Sequence, residues 1–480
     1  MAPVNGSFWQ RFWYAPVPLT RLAAFRIIIM ILALWDLVGY SRLVLPEAAA
    51  VSGAGTPRPW NPIFAFEVLG LQPIGLPVAT AVYTVLLVAI ACGILGIATR
   101  VACLVVALLA FYWSGLAYSF GKPHHDKIAL VFALLALPLA PVGARLSIDS
   151  LIARVRRVRR GGAPTDVPRQ SEWAGIPMRL CQLTIALGYF LAGASKLKLG
   201  GLEWLNGYTL QGIMMGHDNH WSAFFAGNRR ACQVMSAGLV FTQFTYPVVL
   251  LWPRLLWFYI PSVTLMHLIT WHTMDTGPYM SLWLTQVAFL PLDRAPAAVR
   301  TWLTTGPLLR RLVAFLGTAA VIALVLYVLF MNIPTWVAWF LVWPAAAAVL
   351  WLWPGGKVVG VFDGGCGFCR RALAVLHGLD WCGKVAVQNL VQWDEVAQRF
   401  PQLDAEACTR DLHVVDARGR VSVGFGAYQV LAWRLPLVLP LAPLLYLPPV
   451  TTIGRKIYRG IADGRRRDLG HGVCRIGPSG

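Results

Sequence analysis

Acidic residues are scarce: 21 Asp and Glu stand against 41 Lys and Arg in 480 residues, and charged residues of both signs make up only 13%. So little charge excludes a disordered or fibrous chain. The excess of +20 would suggest nucleic acid in a soluble protein, but it sits in a sequence that is 57% hydrophobic with a mean hydropathy of +0.61. The lipid bilayer is therefore the expected partner, no nucleic acid is expected, and the basic excess should mark the cytoplasmic face. Cysteine is scattered. Of nine, only Cys366 and Cys369 stand close together, which argues against a secreted disulfide framework and leaves redox chemistry at one pair. Zinc would want a second pair at suitable spacing, and the isolated Cys382, Cys408 and Cys474 with His377 and His413 do not supply one, so no metal is expected. No internal repeat is visible.

Long apolar runs are abundant. A hydrocarbon core about 30 Å thick needs roughly 20 apolar helical residues to cross it. About ten runs approach that length: Leu22–Tyr40, Ile74–Ala98, Val101–Ser119, Ile128–Val142, Pro177–Leu197, Cys232–Trp252, Leu255–Trp271, Tyr279–Leu292, Leu312–Phe330 and Trp336–Leu352. The fourth, seventh and eighth are short or interrupted. The first lies too deep in the chain, with flanks too aromatic, for a cleaved signal peptide. The arginines between Arg145 and Arg179, among them Arg154, Arg156, Arg157, Arg159 and Arg160, read as a topology anchor facing the cytoplasm. Alternation then predicts a multi-pass inner or cell-membrane protein, with the Gly200–Arg230 loop outside and everything after Pro354 inside.

At Pro354-Gly355-Gly356 the composition changes to soluble patterning, so the predicted division is residues 1–353 and 354–480. In the second part Lys357–Phe362 reads as a buried strand, Asp363–Gly367 as a turn and Phe368–Leu379 as a helix, with further strands at Val385–Gln388, Leu412–Asp416 and Val421–Val423. Pro436–Pro449 is apolar enough to lie against the membrane. Cys366-Gly367-Phe368-Cys369 thus falls where a strand passes into a helix. A helix start offers unpaired N–H groups and partial positive charge to a sulfur anion, and a second cysteine one turn on can resolve a mixed disulfide. Cys366 is the expected nucleophile and Cys369 the resolver, cycling through a redox-active disulfide.

The run Phe362-Asp363-Gly364-Gly365-Cys366-Gly367-Phe368-Cys369-Arg370 resembles the DCC family of thioredoxin-like proteins, named for D-x-x-C-x-x-C. The likeness extends through Val414-Val415-Asp416 to Ile457-Tyr458-Arg459-Gly460-Ile461-Ala462. It implies a small α/β thioredoxin-like domain with Asp363 as the acidic partner of the pair, orienting the turn or accepting a proton; N-capping of the helix is the alternative for Asp363.

Lys196 is the sharpest ionisable residue inside an apolar run, where a charge is costly unless paired or hydrated. Small residues just before it, Ala192-Gly193-Ala194-Ser195, would let neighbouring helices pack closely. The plain alternative is that Lys196 and Lys198 snorkel to the outer headgroups. Tyr189–Leu210 resembles a core segment of the vitamin K-dependent gamma-carboxylases and of the HTTM membrane proteins that share their membrane region. Further matches are His124-His125-Asp126-Lys127 with Leu146-Ser147-Ile148-Asp149, then His220-Trp221 and Met266-His267-Leu268. The resemblance implies that Lys196 is a base for a reduced, vitamin K- or menaquinol-like quinone. His125, or else His124, assists, and His267 is a further catalytic candidate. His124, Trp204, His220 and Trp221 are expected to bind substrate or cofactor.

The expected architecture is a polytopic α-helical membrane bundle of about ten helices followed by a small α/β thioredoxin-like domain. The expected function is an integral membrane enzyme whose lysine/histidine site faces outside and acts on a quinol or other lipid-soluble substrate, fused to a cytoplasmic thiol-disulfide domain served by a thiol reductant. The carboxylases carry an extended propeptide-binding domain on the active-site side, whereas the added domain here is expected to be small and on the opposite face, so their substrate does not carry over; vitamin K-dependent carboxylase- or epoxidase-like activity beside the thiol-disulfide chemistry stays an expectation of the resemblance. Two alternatives remain. One is a membrane-tethered thiol-disulfide oxidoreductase with the helices as docking platform. The other is a non-enzymatic transport, immunity or maturation factor that binds a peptide or lipid.

Overall fold

The computed structural model describes residues 7–122, 127–162, 169–274, 285–293, 357–380, 383–435, 438–464, 466–468 and 473–475. The chain divides into two compact units, Met1–Ser147 with Arg169–Asp293, and Ile148–Pro168 with Arg294–Gly480. Up to residue 293 the main helices are α1 (Leu19–Ala49), α2 (Leu76–Leu95), α3 (Thr99–Phe120), α4 (Ile128–Ala136), α5 (Ile148–Arg159), α6 (Ile176–Gly200), α7 (Arg229–Thr245) and α8 (Leu256–Met274). All but α5 belong to the first unit.

Among the described residues, four helical stretches are long and apolar enough to cross a membrane: Leu19–Ala54, Leu76–Leu95, Thr99–Phe120 and Trp173–Asn206. They take in the first, second, third and fifth apolar runs of the sequence. The fourth run forms the shorter Ile128–Leu139, and the sixth and seventh fold as α7 and α8. The eighth is described only from Thr285, where it makes a 3-10 turn, and the ninth and tenth lie outside the described residues. The expected ten helices thus become four stretches that meet both criteria among the described residues.

Lipid tails are as apolar as leucine, so helices within a bilayer associate through close packing and interhelical hydrogen bonds rather than through expulsion of water. Both devices are present in the first unit. Gly193 of α6 faces the backbone of α7, where an added Cβ would stand 2.7 Å from the Phe244 nitrogen. Arg26, fully buried in α1, donates from Nη1 to the Val142 carbonyl and from Nη2 to the Leu146 carbonyl, each at 2.6 Å. Its charge is spread over carbonyl dipoles of the loop that carries Leu146-Ser147, and the Ser147 hydroxyl closes that loop by donating to the Gly143 carbonyl at 2.6 Å. The serine of that motif holds a turn.

The second unit contains β1 (Val358–Phe362), α9 (Gly367–Leu379), β2 (Val385–Asn389), β3 (His413–Val415), β4 (Val421–Val423), α10 (Phe425–Ala432) and α11 (Pro448–Asp463). The strands form one mixed sheet in the order β2-β1-β3-β4. β1 and β2 are parallel, with Gly360 beside Val387, and a parallel pair needs a crossover, which α9 supplies. β3 is antiparallel to both β1 and β4. Because side chains alternate across a strand, Val358 and Val414 enter the core on one face with Leu431 and Leu435. Val361 and Val415 enter the opposite core with Val396 and Leu403.

The second unit also takes α5 from the middle of the N-terminal region. Leu151 and Arg154 press against Gly378 of α9, leaving no room for a Cβ there, and Arg370 donates to the Val158 carbonyl at 3.4 Å. The arginine run therefore splits into two roles. Arg154 is buried at 5% exposure, while Arg156, Arg157 and Arg160 line an open surface depression.

Candidate functional site

Hydrophobic β1 delivers the chain to a turn that is held from two sides. Asp363, only 3% exposed, accepts the Gly365 N–H at Oδ1, 3.0 Å away, and the Asn389 Oδ1 at the end of β2 accepts the Gly364 N–H at 3.1 Å. The turn ends at Cys366, which is itself the N-cap of α9: its Sγ accepts the Cys369 N–H at 3.4 Å. N-capping by Asp363, the alternative left by the sequence, is therefore replaced by a turn-orienting role. Cys366 is buried and Cys369 half-buried, one helical turn apart. A sulfur at that position receives the N–H groups that a helix start leaves unpaired, which favours negative charge on it. Cys408 behaves differently. Burial, reinforced by Asp404, pushes its thiol up to about 11, so it is a packing residue.

In the first unit Lys196 projects from the last turns of α6. Its Nζ donates to the Gln243 Oε1 of α7 at 3.0 Å and to the Ala192 carbonyl at 3.2 Å, and lies 5.6 Å from the centre of the Trp204 ring. Lys198, two residues on, is exposed. The same face of α6 carries Tyr189, two turns earlier and 2% exposed, whose hydroxyl lies 2.8 Å from Nε2 of His267. Gln286 donates to that hydroxyl at 3.2 Å and accepts from the Tyr246 hydroxyl at 3.2 Å. A neutral His267 with its ring proton on Nδ1 would accept the Tyr189 O–H at Nε2, and with the proton on Nε2 it would donate to that oxygen.

Gln243 ties the two clusters together. Its amide donates towards the Met266 sulfur at 3.6 Å, next in sequence to His267. Beside Met266 opens an apolar cavity of about 320 Å³, walled by Met214, Met235, Phe258 and Leu265 with Thr242, Ser262, Thr270 and Thr273 as polar groups. Its volume lies at the lower end of the range for small-molecule sites.

The structure thus brings Lys196 and Trp204 together, and places His267 on the far side of Gln243. His220 and Trp221 are exposed at the start of a short helix, with their rings edge-on to each other, 5.7 Å between centres. His124 and His125 lie outside the described residues, although the neighbouring Lys127 pairs with Asp36 of α1 at 2.8 Å. Sequence reasoning missed Gln243, Gln286 and Asp36. Asp36 is a lone ionisable residue in an apolar stretch, which is the signal that singled out Lys196, whereas Gln243 and Gln286 follow Thr242 and Thr285 and carry no such signal.

No curated protein and no solved structure matches the chain. Two family models do. The DCC1-like thiol-disulfide oxidoreductase model matches residues 361–471, and the HTTM domain model matches residues 14–293. With more than half of its length in the second match, and with Lys196, Trp204 and His267 inside it, the chain belongs to the HTTM domain family and carries a DCC1-like thiol-disulfide oxidoreductase domain after it.

Proposed function

We propose that the chain is an integral membrane oxidoreductase in which Cys366 and Cys369 exchange electrons with a thiol or disulfide partner in the cytoplasm, while Lys196 serves as base for a quinol-like or other lipid-soluble substrate. The observation that carries this reading is the placement of Cys366 as N-cap of α9 with Cys369 one turn on. As thiolate, Cys366 attacks one sulfur of a substrate disulfide and the other sulfur leaves with the electron pair and takes a proton. Cys369 then loses its proton and attacks Cys366, expelling the second substrate thiol. The pair ends as a disulfide, the substrate as a dithiol, and a soluble thiol reductant reverses the change.

At the second site Lys196 is held by two neutral oxygens, and among the described residues it makes no ion pair. It can therefore exchange a proton without stranding a buried carboxylate. Trp204 covers the amine, and Gln243 fixes it relative to the apolar cavity. A reduced quinone would supply an acidic hydroxyl and two electrons there.

Two assays test the reading. In lipid nanodiscs, wild-type protein should exchange with oxidised glutathione and Cys366→Ser should not; equal rates would sink the thiol assignment. With reduced vitamin K or menaquinol, oxygen, bicarbonate and a glutamate-containing peptide, epoxide should form in wild type and be lost in Lys196→Ala. Absence of epoxide from folded wild type would remove the quinol-base role and leave the tethered oxidoreductase. Cytoplasmic placement predicts that an impermeant thiol reagent reaches the Cys366/Cys369 pair from the inside only.

A further inference from the structure

The second unit carries a half-open cavity of about 690 Å³ that the thiol chemistry described so far does not need. It lies between the sheet and the helices α9, α10 and α11, where a small domain would ordinarily be filled by its own side chains. Its wall is almost wholly apolar: Ala372 and Leu376 of α9, Leu431 of α10, Tyr458 of α11, and Val155 reaching in from α5. Cys369 is part of the same wall. The volume falls within the roughly 300–1,000 Å³ typical of small-molecule sites.

The helix that bounds this cavity also shows where its occupant comes from. On α11, Ile453, Ile457 and Ile461 recur every four residues and are 58%, 59% and 44% exposed. Arg455, Lys456 and Arg459 lie between them and are exposed as well. An apolar stripe flanked by cations is the pattern of a helix that lies in the interface of an anionic bilayer. Ile461 belongs both to this stripe and to the cavity wall.

We propose that this cavity binds the apolar chain of a lipid-borne substrate, drawn from the bilayer surface past α11, and that the chain's functional end comes to rest at Cys369. The inference rests on the thiol reading above and names the substrate class of that site. An isoprenoid tail and a fatty acyl tail share the required chemistry.

The test uses full-length protein in nanodiscs of phosphatidylglycerol and phosphatidylcholine, with two photoreactive probes run separately: a menaquinone carrying a diazirine on its chain, and a diazirine fatty acid. At least one should crosslink within residues 368–379 or 425–462, and its unmodified parent should compete. Which probe labels identifies the source of the chain. Ala372→Trp, which fills the cavity, should lower that labelling by about tenfold. Labelling confined to the membrane helices, or labelling at the cavity that the parent does not compete, would overturn the proposal; so would undiminished labelling in an Ala372→Trp protein with an unchanged melting curve. If that variant does not fold, the wild-type crosslink map and competition decide. Exchange with oxidised glutathione is measured on the same samples. Cavity labelling without exchange removes the thiol reading alone, and exchange without cavity labelling removes the lipid-borne substrate alone.

Discussion

Replacing Gly193 by alanine tests whether helix packing sets the Lys196 site. The new methyl would stand 2.7 Å from the Phe244 nitrogen and 3.0 Å from its Cα, whereas ordinary contact begins at 3.4 Å. The obstacle is backbone, so α7 must retreat by roughly 0.7 Å, and Gln243, the preceding residue, moves with it. The Lys196–Gln243 bond, 3.0 Å in the structure, would open to roughly 3.7 Å, beyond useful hydrogen bonding. Overpacking costs about 1–3 kcal/mol and an interhelical hydrogen bond in a membrane about 0.6–1.7 kcal/mol, so a total of about 2–5 kcal/mol is expected. Two readouts follow in nanodiscs: the melting temperature, and acetylation of Lys196 relative to exposed Lys198 by mass spectrometry. Release of about 1 kcal/mol should raise the Lys196:Lys198 ratio about fivefold. Gly188→Ala is the control, since it lies on the same helix with nothing within 4 Å of an added Cβ. An unchanged ratio and an unchanged melting curve in Gly193→Ala would refute the reasoning, as would equal effects in both variants.

Burial holds the His377 imidazole below its ordinary range, with Asp380 pulling it up and Arg154 of α5 pushing it further down. The unfolded chain takes up the proton near pH 6.5 and the folded unit only below that, so stability is full above about pH 6.5 and falls as pH drops through the window beneath it. Asp380, raised mainly by burial, acts in the opposite direction at lower pH, because its protonation relieves the fold. Melting should therefore drop between pH 7 and 5.5 in wild type and less so in His377→Gln; parallel curves would count against the assignment. Cys408, with its thiol near 11, should react with iodoacetamide at pH 8 about a hundredfold more slowly than a free cysteine, and alkylation at the rate of a free thiol would place it outside the core. Arg26→Met should lower stability by about 3–5 kcal/mol, since it strips two buried carbonyls of a charged donor, and a melting shift of a degree or less would show that water replaces it.

The parts legible in the sequence were those written in local pattern. The strand at Val358–Phe362, the turn and the helix at Gly367–Leu379 follow from a buried β run, a glycine pair and apolar helical spacing, and together they place Cys366 at the strand-to-helix junction. Lys196 stood out because a charge in an apolar run is costly unless paired or hydrated, although snorkelling to the headgroups explained it equally well from position alone. Its partner Gln243 is 47 residues away, and no periodicity on α6 points to it. Asp363 shows a finer limit. Its motif position was plain, but whether the carboxylate bonds the turn or the helix depends on one N–H, that of Gly365, and spacing alone does not choose. The arginine run misled in a different way. Charge counts see Arg154 and Arg156 alike, yet one is packed against α9 and the other faces outward.

The order of segments along this chain is not the order of its modules. Because α5 sits inside the stretch matched as HTTM but packs in the thiol unit, a gene fragment cut at the Pro354-Gly355-Gly356 joint would leave behind part of the unit it aims to isolate. Such a fragment would expose the seat of Leu151 and Val155 on α9 and would need that helix supplied in trans to behave as a well-mannered soluble protein. The fusion is in this sense interlocked: to move the thiol half intact is to move residues 148–162 with it.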